Sequence, residues 1–366
     1  MMQFEIKQHI LHFKQKAGTS RGVYTERKVW YVTLSDEVDA SHVGVGECAP
    51  LPKLSCDDLP DAEYMALLDK YVRKVASGEL TLENLRHDEG LRNLPSMLFG
   101  LESALWHYRR CSVSLSDTAF ARGERGICIN GLIWMGTFEE MQARIEEKLR
   151  DGYQCVKLKI GAINFDDELH LLRMIRGRYS KADIELRVDA NGAFLPGDDA
   201  MRKLDQLSRL DLHSIEQPIA AGQWEEMSRL CRNTPLPIAL DEELIGVNER
   251  GRKEELLDAI RPQYIILKPS LHGGFCGSEE WIAMAEGRGI GWWATSALES
   301  NVGLNAIAHW CAMLQEGQSL TGVVSETPRT LIPQGLGTGM LFTDNVPYPF
   351  AIETRADGVP ALYFNL

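Results

Sequence analysis

The chain has 366 residues, 44% hydrophobic and 25% charged, an ordinary globular mix that excludes wholesale disorder. That length exceeds one ~150-residue domain, although a single α/β barrel also reaches about 250 residues. Fifty-two acidic residues against 39 Lys plus Arg leave a net charge of −13; such a surface repels phosphate backbones and anionic lipid, so neither nucleic acid nor a membrane is an expected partner.

The opening residues, MMQFEIKQHILHFKQK, alternate polar and apolar side chains and lack the apolar block of a signal peptide. No later run approaches the ~18 apolar residues of a spanning helix. Residues 1 to about 50 read as strands, with Val29-Trp30-Tyr31-Val32 strongly β-forming. Between them the composition at 17–22 is that of a turn, and a loop around residues 18–25 is the expected lid. Helical patterns follow at about 60–76 and at 95–110, the second opening at Pro95. Residues 1–122 are therefore expected to form a small α+β domain.

From residue 123 to 324 short β-rich runs alternate with amphipathic helices. Thr137 and Glu140 have capping-box spacing, Met141, Ile145 and Leu149 share one helical face, and Gly152 stops that helix. Candidate strands are 127–130, 154–159, 184–189, 214–216, 237–241, 264–268, 290–294 and 320–324. An eightfold β/α alternation over ~200 residues predicts a closed parallel barrel better than an open sheet. The remainder, 325–366, returns to strand texture around a hairpin signal at Arg355-Ala356-Asp357-Gly358, and is expected to pack back on the first domain. The eight cysteines form no C-x-x-C pair and read as free thiols in a reducing compartment; the expected location is cytoplasmic.

The informative feature is where the charges fall. Five consecutive strand runs end in charge: VKLKIG with Lys157 and Lys159, RVDANG with Asp189, SIEQP with Glu216, IALDE with Asp241 and IILKPS with Lys268, spaced 25 to 30 residues apart. Strand side chains alternate, so Val156 and Leu158 oppose Lys157 and Lys159, and Leu186 and Val188 oppose Arg187 and Asp189. The apolar set suits a helix layer, which turns the charged set inward at the C-terminal mouth, where barrel enzymes keep their active sites. A single charge at a strand end is ordinarily a cap or a surface group. A set at equivalent inward positions is not, because a buried charge without a task is costly.

Carboxylates on three neighbouring strands, about 4.8 Å apart, can converge on one ion. Oxygen donors without His or Cys favour Mg²⁺, with Mn²⁺ as a substitute. Lys159 on one side and Lys268 on the other bracket that ion. The arrangement suits removal of a proton α to a substrate carboxylate, with the metal stabilising the enediolate. Lys159 is the expected base, with Lys157 lowering its pKa.

On these residues the chain resembles the enolase superfamily, in its muconate-lactonising subgroup. The resemblance covers nearly the whole chain and implies an α/β fold: a modified (β/α)7β TIM-type barrel with an N-terminal α+β capping domain completed by the C-terminal tail. The family's K-x-K matches Lys157 and Lys159, its metal ligands match Asp189, Glu216 and Asp241, and its second catalytic lysine matches Lys268. Arg187, in R-x-D, and Thr295 and Ser296, on the seventh strand, match substrate-contacting positions, and residues 18–25 the specificity loop.

Softer matches at 127–133, 294–304 and 335–342 resemble the subgroup's menaquinone-pathway dehydratases. They imply a carbon–oxygen lyase acting on a succinyl-hydroxycyclohexadiene-carboxylate. The alternative is a racemase or epimerase of N-acylamino acids or dipeptides on the same residues. The Asp-x-Asp pair that many dipeptide epimerases carry near the eighth strand has no counterpart at 320–324. A metal-stabilised scaffold without catalysis is the third reading, against which the lysine pair argues. The partner is thus a small carboxylate, and a homo-oligomer is compatible with everything above.

Other features read as structural. The glycines at 335, 337 and 339 lack the strand-before, helix-after context of a dinucleotide loop. His213 and Trp292-Trp293 read as packing, His272-Gly273-Gly274 as a loop former, and Glu242 as support for Asp241.

Overall fold

A computed structural model of the chain describes residues 2–19, 22–161 and 163–365. It opens with an antiparallel sheet of β1 (Met2–Thr19), β2 (Gly22–Asp36) and β3 (Val43–Cys48). Helices α1 (Asp61–Ala76), α2 (Glu89–Arg92) and α3 (Pro95–Arg110) follow. Trp30, Val32 and Leu34 of β2 pack against Tyr64, Leu68, Met97 and Leu101 from the helices. A Cβ at Gly46 would lie 1.9 Å from the Gly100 carbonyl oxygen, so glycine is what lets α3 lie directly on β3. Both long helices begin where their sequences say. Pro95 occupies the first turn of α3, where a missing N–H is no loss, and Asp61 and Glu63 occupy the first turn of α1.

The second layer is β4 (Ile127–Cys128), β5 (Gly131–Ile133), α4 (Phe138–Arg150), β6 (Cys155–Lys159), α5 (Phe165–Arg178), β7 (Glu185–Asp189), α6 (Asp198–Ser208), β8 (Ser214–Glu216), α7 (Trp224–Asn233), β9 (Ile238–Leu240), α8 (Arg250–Ile260), β10 (Tyr264–Leu267), α9 (Gly274–Glu286), β11 (Gly291–Ala294) and α10 (Asn301–Gln315). Strands β5 to β11 form one parallel sheet in sequence order. Val156, Leu158, Leu186, Val188, Ile265 and Leu267 join the core beneath the helices. Ala239, Ile266 and Trp293 form a separate cluster, on the opposite strand face, inside the ring. The expected alternation therefore holds. The Thr137–Glu140 capping box opens α4, and Gly152 follows it at φ 89.

Two expected barrel strands stand elsewhere. The first runs over 131–133, while Ile127 and Cys128 pair with the terminal hairpin. Residues 320–324 form no strand. Their polar groups are instead taken up by the buried Glu279 carboxylate, which accepts bonds from the Leu320 and Thr321 amides at 3.0 and 3.3 Å. The eighth place in the ring is filled by Gln334 and Gly335, through single parallel bridges to Ile129 and Thr295.

The capping domain is tied to the barrel by buried polar side chains. Glu47 accepts from the Ser300 and Gly303 amides, both at 2.9 Å, at the start of α10. Glu102 on α3 accepts from the Phe275 and Cys276 amides, at 2.6 and 3.2 Å, at the start of α9. Arg27, 1% exposed, donates to the Pro50 and Leu298 carbonyls. The chain returns to the cap at Phe342, bridged to Phe13, and at Thr343, whose amide donates to the His12 carbonyl at 2.9 Å. The closing hairpin of β12 (Phe350–Thr354) and β13 (Pro360–Phe364) instead continues the sheet of β4. All eight cysteines are free. No helix of the described residues is long and apolar enough to cross a membrane.

Candidate active site

The strand register builds the site. Lys159 lies opposite Asp189, and Asp189 opposite Glu216, so these three stand in one row across β6, β7 and β8. Asp241 follows β9 and Lys268 follows β10, which carries the row across the mouth. Lys157, Lys159, Asp189, Glu216 and Asp241 are all at most 8% exposed.

The ammonium of Lys157 lies 2.9 Å from Glu216 Oε2 and 3.3 Å from Asp189 Oδ2. That of Lys159 lies 2.9 Å from Asp189 Oδ2 and 2.7 Å from Asn191 Oδ1. Lys268 pairs with Asp241 Oδ2. Burial opposes the Lys157 charge, but Glu216 and Asp189 outweigh it and hold its pKa above the ordinary lysine range. Glu216 is pushed up to about 8 by burial and by the charges of Asp189 and Asp241. Burial also opposes the Asp189 charge, yet Lys159 and Lys157 prevail and hold it below the carboxylate range.

Three further residues complete the row. Asn191, at φ 45, receives its backbone bend from a 3.0 Å bond of its amide to Asp189 Oδ1 and donates its own side chain to Glu242 Oε1 at 3.0 Å. Gln217, fully buried, accepts from the Asp241 amide at 3.2 Å and so ties the end of β8 to the end of β9. Trp134 lies under the Lys159 ammonium, 5.9 Å from ring centre to nitrogen. Sequence reading passed over all three, although the Asn-Gly step after Asp189 is itself a turn signal.

All of these groups except Gln217 line a cavity of about 590 Å³ walled by the barrel mouth, the segment 335–341 and residues 13–17 of the cap. Among the described residues of the expected lid at 18–25, none lines the cavity. Strands β1 and β2 remain paired to Thr19 and from Gly22, and Ser20 and Arg21 lie outside the described residues. The cap's contribution to the wall comes from lower down, where β1 bulges. His12 pairs with Glu26 and Ala17 with Tyr24, so residues 13–16 oppose Thr25 alone and bow towards the mouth.

Thr295 and Ser296 line the cavity, with their hydroxyls engaged by the Gly335 carbonyl at 2.9 Å and by Thr338 at 2.5 Å. Arg187 is not among the lining residues. One strand step below Asp189, it is 1% exposed, bonds to Glu185 Oε1 at 2.7 Å and the Pro333 carbonyl at 2.8 Å, and stacks 4.5 Å from the Trp293 ring centre. In this arrangement the side chain braces the bore beneath the cavity. His213 stacks on Tyr264, as packing.

Whether the carboxylates suit a divalent ion can be judged from the donors themselves. Among the described residues no three such groups converge at ligating distance; the lysine ammoniums are drawn onto the same oxygens. Yet Asp241 Oδ1 and Glu242 Oε2 are buried without partners, and four carboxylates face three lysines at the cavity floor. An all-oxygen set with an unmet lone pair fits a hard cation such as Mg²⁺.

Comparisons agree with this geometry. Residues 140–341 match the family described as enolase C-terminal domain-like, whose superfamily generally uses Mg²⁺. The o-succinylbenzoate synthase of Desulfotalea psychrophila is 44% identical over 98% of this chain and 99% of its own length. The crystal structure of MenC from the same organism superposes with a TM-score of 0.79 at 40% identity, covering 98% of this chain and 99% of that one. An N-succinylamino acid racemase of Thermus thermophilus is 37% identical over 80% of this chain and 77% of its own. A (β/α)7β barrel with a three-stranded cap, a lysine–carboxylate row at its mouth and full-length identity to a synthase place the chain in the enolase superfamily, among the o-succinylbenzoate synthases.

Proposed function

We propose that this chain is a Mg²⁺-dependent o-succinylbenzoate synthase, a lyase that dehydrates a succinyl-hydroxycyclohexadiene-carboxylate in menaquinone biosynthesis. The observation that carries the reading is the 44% identity to a synthase over nearly the full chain, on a site whose two lysines stand on opposite sides of three buried carboxylates. Asp189, Glu216 and Asp241 would hold the ion, Mn²⁺ being a substitute. When bound there, it neutralises charge that develops on the substrate carboxylate.

The chain's own residues do the proton work. Lys159, in its neutral form, takes the proton from the carbon α to the carboxylate. The same ammonium then gives a proton to the departing hydroxyl, so the C–O bond breaks, water leaves and the ring becomes aromatic. Lys268 stays charged and stabilises the enolate from the other side. Lys157 supports Lys159 by occupying Glu216 and sharing Asp189 Oδ2 with it. The bulge at 13–16 and the wall at 335–341 exclude water around the ring, and Thr295 and Ser296 stand where substrate would be held.

The relative that racemises N-succinylamino acids favours a second reading, since lysines on opposite faces of one carbon also suit two-base racemisation. We further infer a protein without nucleic-acid partners, from its net charge of −13, and one that works in the reducing cytoplasm, from its eight free cysteines. One experiment tests the main reading: ultraviolet-monitored turnover of the succinyl-cyclohexadiene substrate beside a panel of N-succinylamino acids. Dehydration that is lost with a chelator and restored by Mg²⁺ is the expected result. Racemisation without dehydration would replace it by the second reading.

A further inference from the structure

Lys268 stands one residue beyond β10, and the few residues between it and α9 decide where its ammonium points. The Leu271 and His272 amides donate to the Lys268 carbonyl at 2.8 and 3.1 Å, which folds the segment into a tight turn. In return the Lys268 amide donates to Nδ1 of His272 at 3.0 Å. His272 is 1% exposed. Burial, together with the Lys268 and Lys253 ammoniums, holds its pKa well below the usual histidine range, so the ring is neutral and Nδ1 keeps a lone pair. Its Nε2 is buried without a partner. A polar ring is thus kept in a dry place at the cost of one unmatched nitrogen, for a single bond to the backbone of Lys268. Packing alone would be served better by an apolar side chain.

The other end of the turn is fixed from the capping domain. Gly273 and Gly274 both have positive φ, 88 and 69, and a Cβ on Gly274 would come 2.2 Å from Glu102 Oε2. That carboxylate, on α3, holds the Phe275 and Cys276 amides. A clamp at each end leaves the lysine-bearing turn little freedom.

We propose that His272 is a positioning residue for Lys268, holding the turn that Glu102 anchors from the cap. The inference rests on Lys268 acting in the reaction proposed above. His272→Ala removes the acceptor, and His272→Asn restores one, because a carboxamide oxygen reaches about the place of Nδ1. Full-length variants are compared at equal folded fraction by circular dichroism, with turnover of the succinyl-cyclohexadiene substrate as the readout. His272→Ala lowers kcat on the order of 10- to 100-fold, as small misplacements of a catalytic group do. KM stays within about twofold, and His272→Asn recovers most of the rate. Unchanged kcat per folded molecule in His272→Ala, a rise in KM alone, or a folded His272→Asn as slow as His272→Ala would each overturn the proposal. Should His272→Ala fail to fold, His272→Phe, which fills the space without an acceptor, is read in its place. Lys268→Ala is measured alongside. If it turns over like the wild type, the role given to Lys268 falls and the proposal with it; if it is inactive while His272→Ala is unaffected, the proposal alone falls.

Discussion

Lys157 and Lys159 share a strand face yet have different surroundings. Lys157 sits between Glu216 and Asp189, whereas Lys159 shares Asp189 with Asn191 above the ring of Trp134 and stands one step nearer the mouth. Lys159→Ala should therefore abolish both dehydration and exchange of the α-proton in D₂O; loss of a general base alone is worth about 10²–10⁴ in rate. Lys268→Arg keeps the charge but supplies no base, so dehydration should remain measurable while any racemisation of an N-succinylamino acid disappears. Racemisation that survives in Lys268→Arg would reverse these roles. The charged row was legible in the sequence because alternation fixes the face of a strand on which a side chain stands. Alternation does not fix depth. Arg187 and Asp189 share a face, but the arginine is two residues deeper and meets Glu185 and Trp293 instead of the cavity. Gln217 was missed for a related reason: it acts on the backbone of a neighbour, and no pattern of spacing announces that. His272, expected to form a loop, does close the turn after Lys268, but its hold on the Lys268 amide was not legible.

Elements with strong local signals stood where the sequence put them: α1, α3 and α4 carry their own caps, end-charges or Pro95. The first and eighth barrel positions did not, because two or three residues of strand are decided by the partner they find. Ile127 and Cys128 meet β13, and the run at 320–324 is claimed by Glu279. The helix starts supported by the cap have a measurable signature. Burial pushes the Glu102 carboxyl up from an ordinary 4.5 to about 8, reinforced by Glu279 and opposed by the Phe275 and Cys276 amides and by Arg86. The folded state thus binds the proton more tightly than the unfolded one. The stability this contributes is complete below pH 4.5 and lost as pH rises through 8. Glu102→Gln cannot ionise, so its unfolding free energy relative to the wild type should rise between pH 5 and pH 9, by at most about 1.4 kcal/mol per pH unit, and its thermal midpoint relative to the wild type should rise with it. A difference that stays flat across that range would contradict the assignment.

At the scale of the whole molecule, the cavity between the two layers is far less acidic than the protein around it. Lys14, Lys16, Arg144 and Lys148 join the three lysines of the row on its wall, against Glu147, Asp151 and the four carboxylates of the row, so a chain of net charge −13 offers a near-balanced pocket to an anionic substrate. The ring of the barrel is not closed evenly. β6 and β7 share five paired positions, whereas the ring is completed by one bridge on each side of residues 334–335. Hydrogen exchange should accordingly reach the Gln334 and Gly335 amides, which donate to the Cys128 and Ala294 carbonyls, before those of β6 and β7, and equal protection would mean that the ring is sealed evenly.

That weak closure has a consequence for how such a site can change over evolutionary time. Thr338, Met340 and Leu341 stand on the cavity wall just past the closing bridges, in a stretch that contributes no rung to the parallel sheet. Replacements there remodel the space offered to a ligand without shifting the register that aligns Lys159, Asp189 and Glu216. The molecule thus separates a chemical apparatus that must stay put from a partition that is free to drift, and new substrate preferences can arise by altering the second alone.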